Sequence, residues 1–275
     1  MVGPIRTLTH PFDVATTLTA GDEGHYTGHT APEYSNMVGP FGGITAAILL
    51  RAVLADPRRL ADPISITVNY AGPIADGPFT IDAQPVRTNR ATQHWMLTMT
   101  QGDAVTTTAT VVCGHRRDTW ANTEITPPTA PPADSMTPDV LPDYPSWLGN
   151  YEMRFVSGRG PFGPDPEPQP TSASTLWVRD LPVRPLDYPA LTAMTDVFFP
   201  RIMIRRGAFA AASTISLTTY LHATPETLAA QADSPVLATA RAQHFGNGYF
   251  DQSAHLWTAD GAPLATSHQL VYFKD

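Results

Sequence analysis

Cysteine is almost missing from this sequence: Cys113 is the only one in 275 residues, which excludes an internal disulfide and any multi-cysteine metal site. Its run, Thr110-Val111-Val112-Cys113, reads as a strand carrying a buried structural thiol. Long apolar runs are missing too. The strongest, Ile44 to Leu54, is interrupted by Arg51 and falls short of the roughly 20 residues that cross a bilayer, so no membrane partner is expected. Met1 to Phe12 has no hydrophobic h-region of the kind a secretory leader needs. Basic residues are few, 17 against 25 acidic, for a formal charge of −8. A nucleic-acid binder normally carries a basic face, so no nucleic-acid partner is expected. His25, His29, His244 and His268 share no metal-ligand spacing, and neither a metal nor a cofactor is predicted. These exclusions leave a globular, cytoplasmic protein. Its 42% hydrophobic and 15% charged residues suit a packed core and not a disordered chain.

Proline is the residue in excess, with 28 copies, and its placement divides the chain. Between Trp120 and Pro145 lie Pro127-Pro128, Pro131-Pro132, Pro138, Pro142 and Pro145, a composition of extended, solvated chain. The expected organisation is an N-terminal domain at 1–118, a proline-rich linker at 119–148 and a C-terminal domain at 149–275, each domain of ordinary size. A second proline-rich stretch, Gly158 to Pro170, reads as a long loop.

The two halves repeat one layout, which suggests internal duplication. In the first, a strand pair (Val14 to Leu18, Gly24 to His29) leads through a loop to a helix over Gly42 to Ala55. That helix is apolar on nearly every side and stops before Asp56-Pro57. Strands are predicted at Ile64 to Tyr70, Phe79 to Arg87, Gln93 to Thr100 and Ala104 to Val112, from alternation and from the hairpin signal Gln101-Gly102-Asp103. The second half offers a strand at Thr175 to Arg179 and a helix over Tyr188 to Phe199, stopped by Pro200. Four strands follow, at Ala212 to Leu221, Val236 to His244, Tyr249 to Thr258 and Pro263 to Phe273, with turns at Asn247-Gly248 and Asp260-Gly261. A long antiparallel meander with one apolar helix to cover wraps round it. The predicted class is α+β, a double hot-dog: two tandem domains, each an antiparallel sheet wrapped around a central helix.

Phe41-Gly42-Gly43 opens the first helix, Asp196 closes the run Ala193-Met194-Thr195-Asp196, Thr214 lies in Ser213-Thr214-Ile215-Ser216, and Gln269 in Thr266-Ser267-His268-Gln269. In order and placement these motifs resemble the type II acyl-CoA thioesterases (TesB-like), double hot-dog enzymes, and the similarity covers nearly the whole chain outside the linker. The resemblance implies Asp196, Thr214 and Gln269 as the catalytic set, with the substrate an acyl-CoA of fatty acid metabolism. Three departures bear on substrate range and leave that set intact. Ile44 stands where the family commonly has Gln, Ser216-Leu217 replaces an Asp-His pair, and the connection through Arg205-Arg206-Gly207 is short.

The residue types suit thioester hydrolysis. Asp196 sits among Leu191, Met194, Val197, Phe198 and Phe199, company that desolvates a carboxylate and raises its pKa toward that of a general base. The hydroxyl of Thr214 and the amide of Gln269 can each direct a water. Gly42 and Gly43, with Ile44 at the same helix tip, are candidates to receive the thioester carbonyl oxygen on unpaired N–H groups. Helix Gly42 to Leu54 holds no acid, so of two pseudo-equivalent clefts only one joins glycine tip and base. One working site per chain is expected. Strict alternation, however, puts Thr214 on the face opposite Ile215 and Leu217. Taken singly, Asp196 also suits a structural acid, Thr214 and Gln269 ordinary strand residues, and the glycine pair a close packing contact. Arg87, Arg90, Arg201, Arg205 and Arg206 are candidates for the CoA phosphates. The alternatives are a non-catalytic acyl-CoA-binding hot-dog protein and a hydratase or dehydratase, whose Asp-x-Asn-x-x-His stretch is absent here. Because hot-dog sheets extend or stack, a homo-oligomer is expected.

Overall fold

The computed structural model describes residues 10–162 and 167–274. The N-terminal half supplies strands β1 (Thr19–Ala20), β2 (His25–His29), β3 (Pro63–Tyr70), β4 (Pro78–Thr88), β5 (Thr92–Gln101) and β6 (Ala104–Gly114). The C-terminal half supplies β7 (Tyr151–Ser157), β8 (Ser174–Asp180), β9 (Ala211–Leu221), β10 (Val236–Arg241), β11 (Phe245–Gly246), β12 (Tyr249–Trp257) and β13 (Pro263–Lys274). All join one antiparallel sheet in the order β1-β2-β4-β5-β6-β3-β9-β13-β12-β10-β8-β7, with β11 paired to β12. Outward from the β3–β9 seam the two halves run in the same order, so β3 answers β9, β6 answers β13 and β5 answers β12. The duplicated layout thus reappears as a doubled sheet. At the seam, Ser65 to Asn69 pair with Tyr220 to Ser216, and Thr67 Oγ1 lies 3.0 Å from Thr218 Oγ1.

Among the described residues the α-helices are α1 (Pro11–Ala15), α2 (Gly42–Ala55), α3 (Tyr188–Met194), α4 (Arg201–Arg206) and α5 (Pro225–Gln231). Helices α2 and α3 lie at the centre of a hydrophobic core shared by both halves. Being enclosed, α2 buries nearly its whole circumference, which is why its sequence lacks a polar stripe. The two helices run antiparallel. Arg51, in the last turns of α2, reaches Asp187 at the head of α3 at 3.5 Å. At the other end, a Cβ built on Gly43 would come within 2.6 Å of the Ala193 carbonyl oxygen.

Several expectations need correction. Val14 to Leu18 is not a strand: Pro11 stands in the first turn of α1, and His10 Nδ1 accepts from Phe12 N–H at 3.0 Å, so local capping outweighs the alternating pattern. The second central helix ends at Met194 and not at Phe199. There Thr195 Oγ1 turns back to the Thr192 carbonyl, a local alternative to the helical ladder. Strand β7 and helices α4 and α5 are not expected from the sequence, and the short connection through Arg205-Arg206-Gly207 is the end of α4. Helix α5 is capped by Thr224, whose Oγ1 accepts from Thr227 N–H at 3.2 Å. Part of the proline-rich linker is extended but packed. Ala130, Ala133 and Met136 rest on Trp177, Leu237 and Trp257 of the C-terminal sheet, and Trp177 Nε1 donates to the Pro131 carbonyl at 2.9 Å. The leaderless reading of Met1 to Phe12 rests largely on residues 1–9, and the Gly158 to Pro170 loop includes 163–166; both ranges lie outside the described residues.

Candidate active site

The tip of α2 has no cap of its own. Its N-cap residue, Phe41, carries no acceptor, so the first N–H groups of the helix need partners from elsewhere. Asp196, two residues past the end of α3, supplies one: its carboxyl accepts from the Gly43 backbone N–H. A negative group there is also favoured by the positive end of the α2 dipole. Glycine is required at this approach. A Cβ on Gly42 would lie 2.7 Å from Asp196 Oδ2, and one on Gly43 would strike the Phe41 ring at 2.5 Å.

The remaining acceptor capacity of Asp196 is partly used by the sheet. Gln269 Nε2, on β13, donates to Asp196 Oδ1 at 2.8 Å, and Thr214 Oγ1, on β9, donates to Gln269 Oε1 at 3.2 Å. Thr214 therefore reaches Asp196 through the amide. The difficulty over its direction is resolved by the register. Leu270 pairs with Ser216 and Val271 with Thr214, so Ile215 is an extra residue in a β-bulge. The bulge turns Ile215 outward, 38% exposed, and brings Thr214 to the inner face beside buried Val271 and Gln269. Bulges re-aim side chains in this way.

Asp196 keeps part of its surface accessible, while apolar surroundings push its pKa up to about 7, the hydrogen bonds from Gln269 and Gly43 only partly opposing that. Sparse solvation penalises the charged form more than two donors stabilise it. Tyr70, the last residue of β3, borders the same notch: its Oη donates to the Gly42 carbonyl at 2.8 Å and lies 3.3 Å from the position a Gly42 Cβ would take. Nothing in its local sequence singles Tyr70 out; only the fold brings it to α2.

Ile44 is buried and helps line a small apolar cavity with Thr45, Ile48, Ile74, Phe79 and Met99. Arg87, Arg90, Arg205 and Arg206 are all exposed, and Arg205 Nη1 donates to the Gln169 carbonyl at 2.6 Å. Arg201 is unsuited to a phosphate. It is fully buried, and its guanidinium donates to Gln252 Oε1, Ser174 Oγ and the carbonyls of Ser172 and Phe199. With its hydrogen bonds spent inside, it braces the segment that follows Asp196. Among the described residues no cluster of His, Cys, Asp and Glu could hold a metal, and no helix is long and apolar enough to cross a membrane.

A pair of antiparallel central helices inside a doubled antiparallel sheet, with one acid at the joined tip, defines a double hot-dog protein. A hot-dog protein from Alicyclobacillus acidocaldarius, described as a conserved protein of unknown function, is 43% identical, with 98% of this chain and 99% of that one covered at a TM-score of 0.92. The tesB protein of Mycobacterium avium subs paratuberculosis has 17% identity over 97% and 100% of the two chains, TM-score 0.78. The acyl-CoA thioesterase II TesB2 of Mycobacterium marinum has 16% over 96% and 98%, TM-score 0.73. At such identities the last two share the fold alone. No curated protein is detectably similar in sequence. Residues 31–114 match the acyl-CoA thioesterase N-terminal domain and residues 124–273 its C-terminal domain. The chain belongs to the acyl-CoA thioesterase family.

Proposed function

We propose that the protein hydrolyses an acyl-CoA to a carboxylic acid and free CoA, with Asp196 as general base. One observation carries this reading. A carboxyl with a raised pKa, on the half-buried residue Asp196, is brought from the C-terminal half to the uncapped helix tip of the N-terminal half, in hydrogen-bonded contact with Gln269 and, through it, Thr214.

In the proposed reaction a water beside Asp196 gives its proton to the carboxylate and attacks the thioester carbonyl carbon. The carbonyl oxygen takes the negative charge and is received at the α2 tip, where Gly42 offers a backbone N–H and no Cβ. The C–S bond then breaks, and the CoA thiolate leaves with the proton Asp196 has held. Gln269 keeps Asp196 oriented, and Thr214 keeps Gln269 oriented. Ile44 borders the acyl group, and the exposed Arg87, Arg90, Arg205 and Arg206 meet the CoA phosphates. Domains at 1–118 and 149–275, a cytoplasmic location and a homo-oligomer complete the proposal.

The test is release of free thiol from acyl-CoAs of graded length by wild type and Asp196→Asn. Turnover in the first and its loss in the second support the assignment. Binding without turnover in either identifies an acyl-CoA-binding protein instead.

A further inference from the structure

The peptide group joining Gly42 to Gly43 is held at both ends. Its carbonyl oxygen, from Gly42, accepts from Tyr70 Oη at 2.8 Å. Its N–H, from Gly43, donates to the Asp196 carboxyl. Donor, peptide and carboxyl thus form one chain that starts on β3, crosses the first turn of α2 and ends on the segment after α3. We propose that Tyr70 is a positioning residue for Asp196, acting through the Gly42–Gly43 peptide to fix and polarise the N–H that holds the carboxyl. The inference rests on the reading of Asp196 as the base.

The physical reason is cooperativity. A donor on a peptide oxygen draws electron density toward it and makes the N–H of the same peptide a stronger donor. Phe41 contributes no cap, so without Tyr70 the only contact outside α2 that holds this peptide is the one from its N–H to Asp196. Burial and the charge on Asp196 push the Tyr70 hydroxyl well above its ordinary pKa, so it stays protonated and remains a donor. Lack of a Cβ at Gly42 keeps the notch between Tyr70 Oη and Asp196 Oδ2 open. Tyr151 of β7 also feels Asp196, and burial raises it likewise. Both tyrosines are neutral near pH 7, which leaves Asp196 as the group of this cluster that titrates there.

Tyr70→Phe tests this by two readouts. The Gly43 amide proton, observed in a ¹H–¹⁵N spectrum of the full chain, moves upfield as its hydrogen bond weakens. The acidic limb of kcat/KM against pH moves to higher pH, because the hydrogen bond from Gly43 is one of those that lower the Asp196 pKa. The rate constant kcat falls about tenfold, the scale of one hydrogen bond, with KM little changed. A tyrosine that merely packs leaves both the amide resonance and the limb where they were, and either unmoved readout overturns the proposal. If Asp196→Asn retains full turnover, the base assignment fails while the amide measurement still decides whether Tyr70 polarises this peptide.

Discussion

The two ends of the α2–α3 helix pair are built from equivalent pieces and do different things. At one end the head of α2 meets the tail of α3, where half-buried Asp196 has Gly43 N–H and Gln269 as partners. At the other end the head of α3 meets the tail of α2, and charge is matched by charge. Asp187 caps α3 by accepting from Ala190 N–H at 2.8 Å, Arg51 lies 3.5 Å from it, and Arg184 holds both Asp187 and Asp13 at 3.0 Å. Asp180, below this cluster, is also raised to about 7 by burial, with Arg184 at 3.6 Å only partly offsetting it. That distance makes an ion pair but not a hydrogen bond. The same pKa therefore accompanies two carboxyls of different use. Asp180 is 1% exposed and Asp196 is half-buried; what distinguishes them is that Asp196 meets the uncapped tip of α2 and Asp180 meets an arginine.

Breaking the Asp196 end carries the largest effect. Asp196→Asn is expected to lower kcat/KM by on the order of 10²–10⁴-fold, the usual range for a general base. The fold stays intact by circular dichroism, since an amide replaces an acid that burial disfavours. Gly42→Ala comes next: its methyl must displace Asp196 Oδ2, and a misplacement on the order of 1 Å can cost about 100-fold. Thiol release under single-turnover conditions separates that loss from weaker binding.

The comparison is sharpened by pH. For Asp196 and Asp180 alike the folded pKa exceeds the ordinary carboxylate value of 3.8, so between about 4 and 7 the native state binds more protons than the unfolded chain. Stability therefore falls as pH rises through that window. Asp180→Asn is expected to flatten this fall in Tm while leaving turnover near wild type. Asp196→Asn flattens it too but carries the large loss of turnover given above. Equal loss of activity in both would remove the distinction between the ends. In wild type, activity rises as pH passes through about 7, where Asp196 loses its proton. The smallest effect belongs to Thr214→Val, which removes the outermost donor of the chain and is expected to reduce kcat by about tenfold or less, one hydrogen bond to a neutral amide being modest.

Much of this molecule is legible in its residues. Alternation marks β4, where Phe79, Ile81 and Ala83 are buried between more exposed neighbours, because a strand side chain can face only one of two sides. Glycine turns bound the hairpins, and the apolar girth of α2 announces a helix enclosed by protein. Asp196, Thr214 and Gln269 are implied by the family resemblance and not by their own surroundings in the sequence, and they meet in one hydrogen-bonded chain. What local pattern could not supply were the interruptions and the long-range contacts. The bulge at Ile215 reverses the face of Thr214, yet a bulge is a mismatch between two strands and leaves no mark on either alone. The early end of α3 depends on a threonine choosing its own backbone over the helix. Tyr70 and Gly42 are 28 residues apart, and Gln269 and Asp196 are 73 apart. Hydrophobic periodicity acts over neighbouring residues and so is written locally, whereas the meeting of a helix tip with a carboxyl from the other half exists only once both halves have packed.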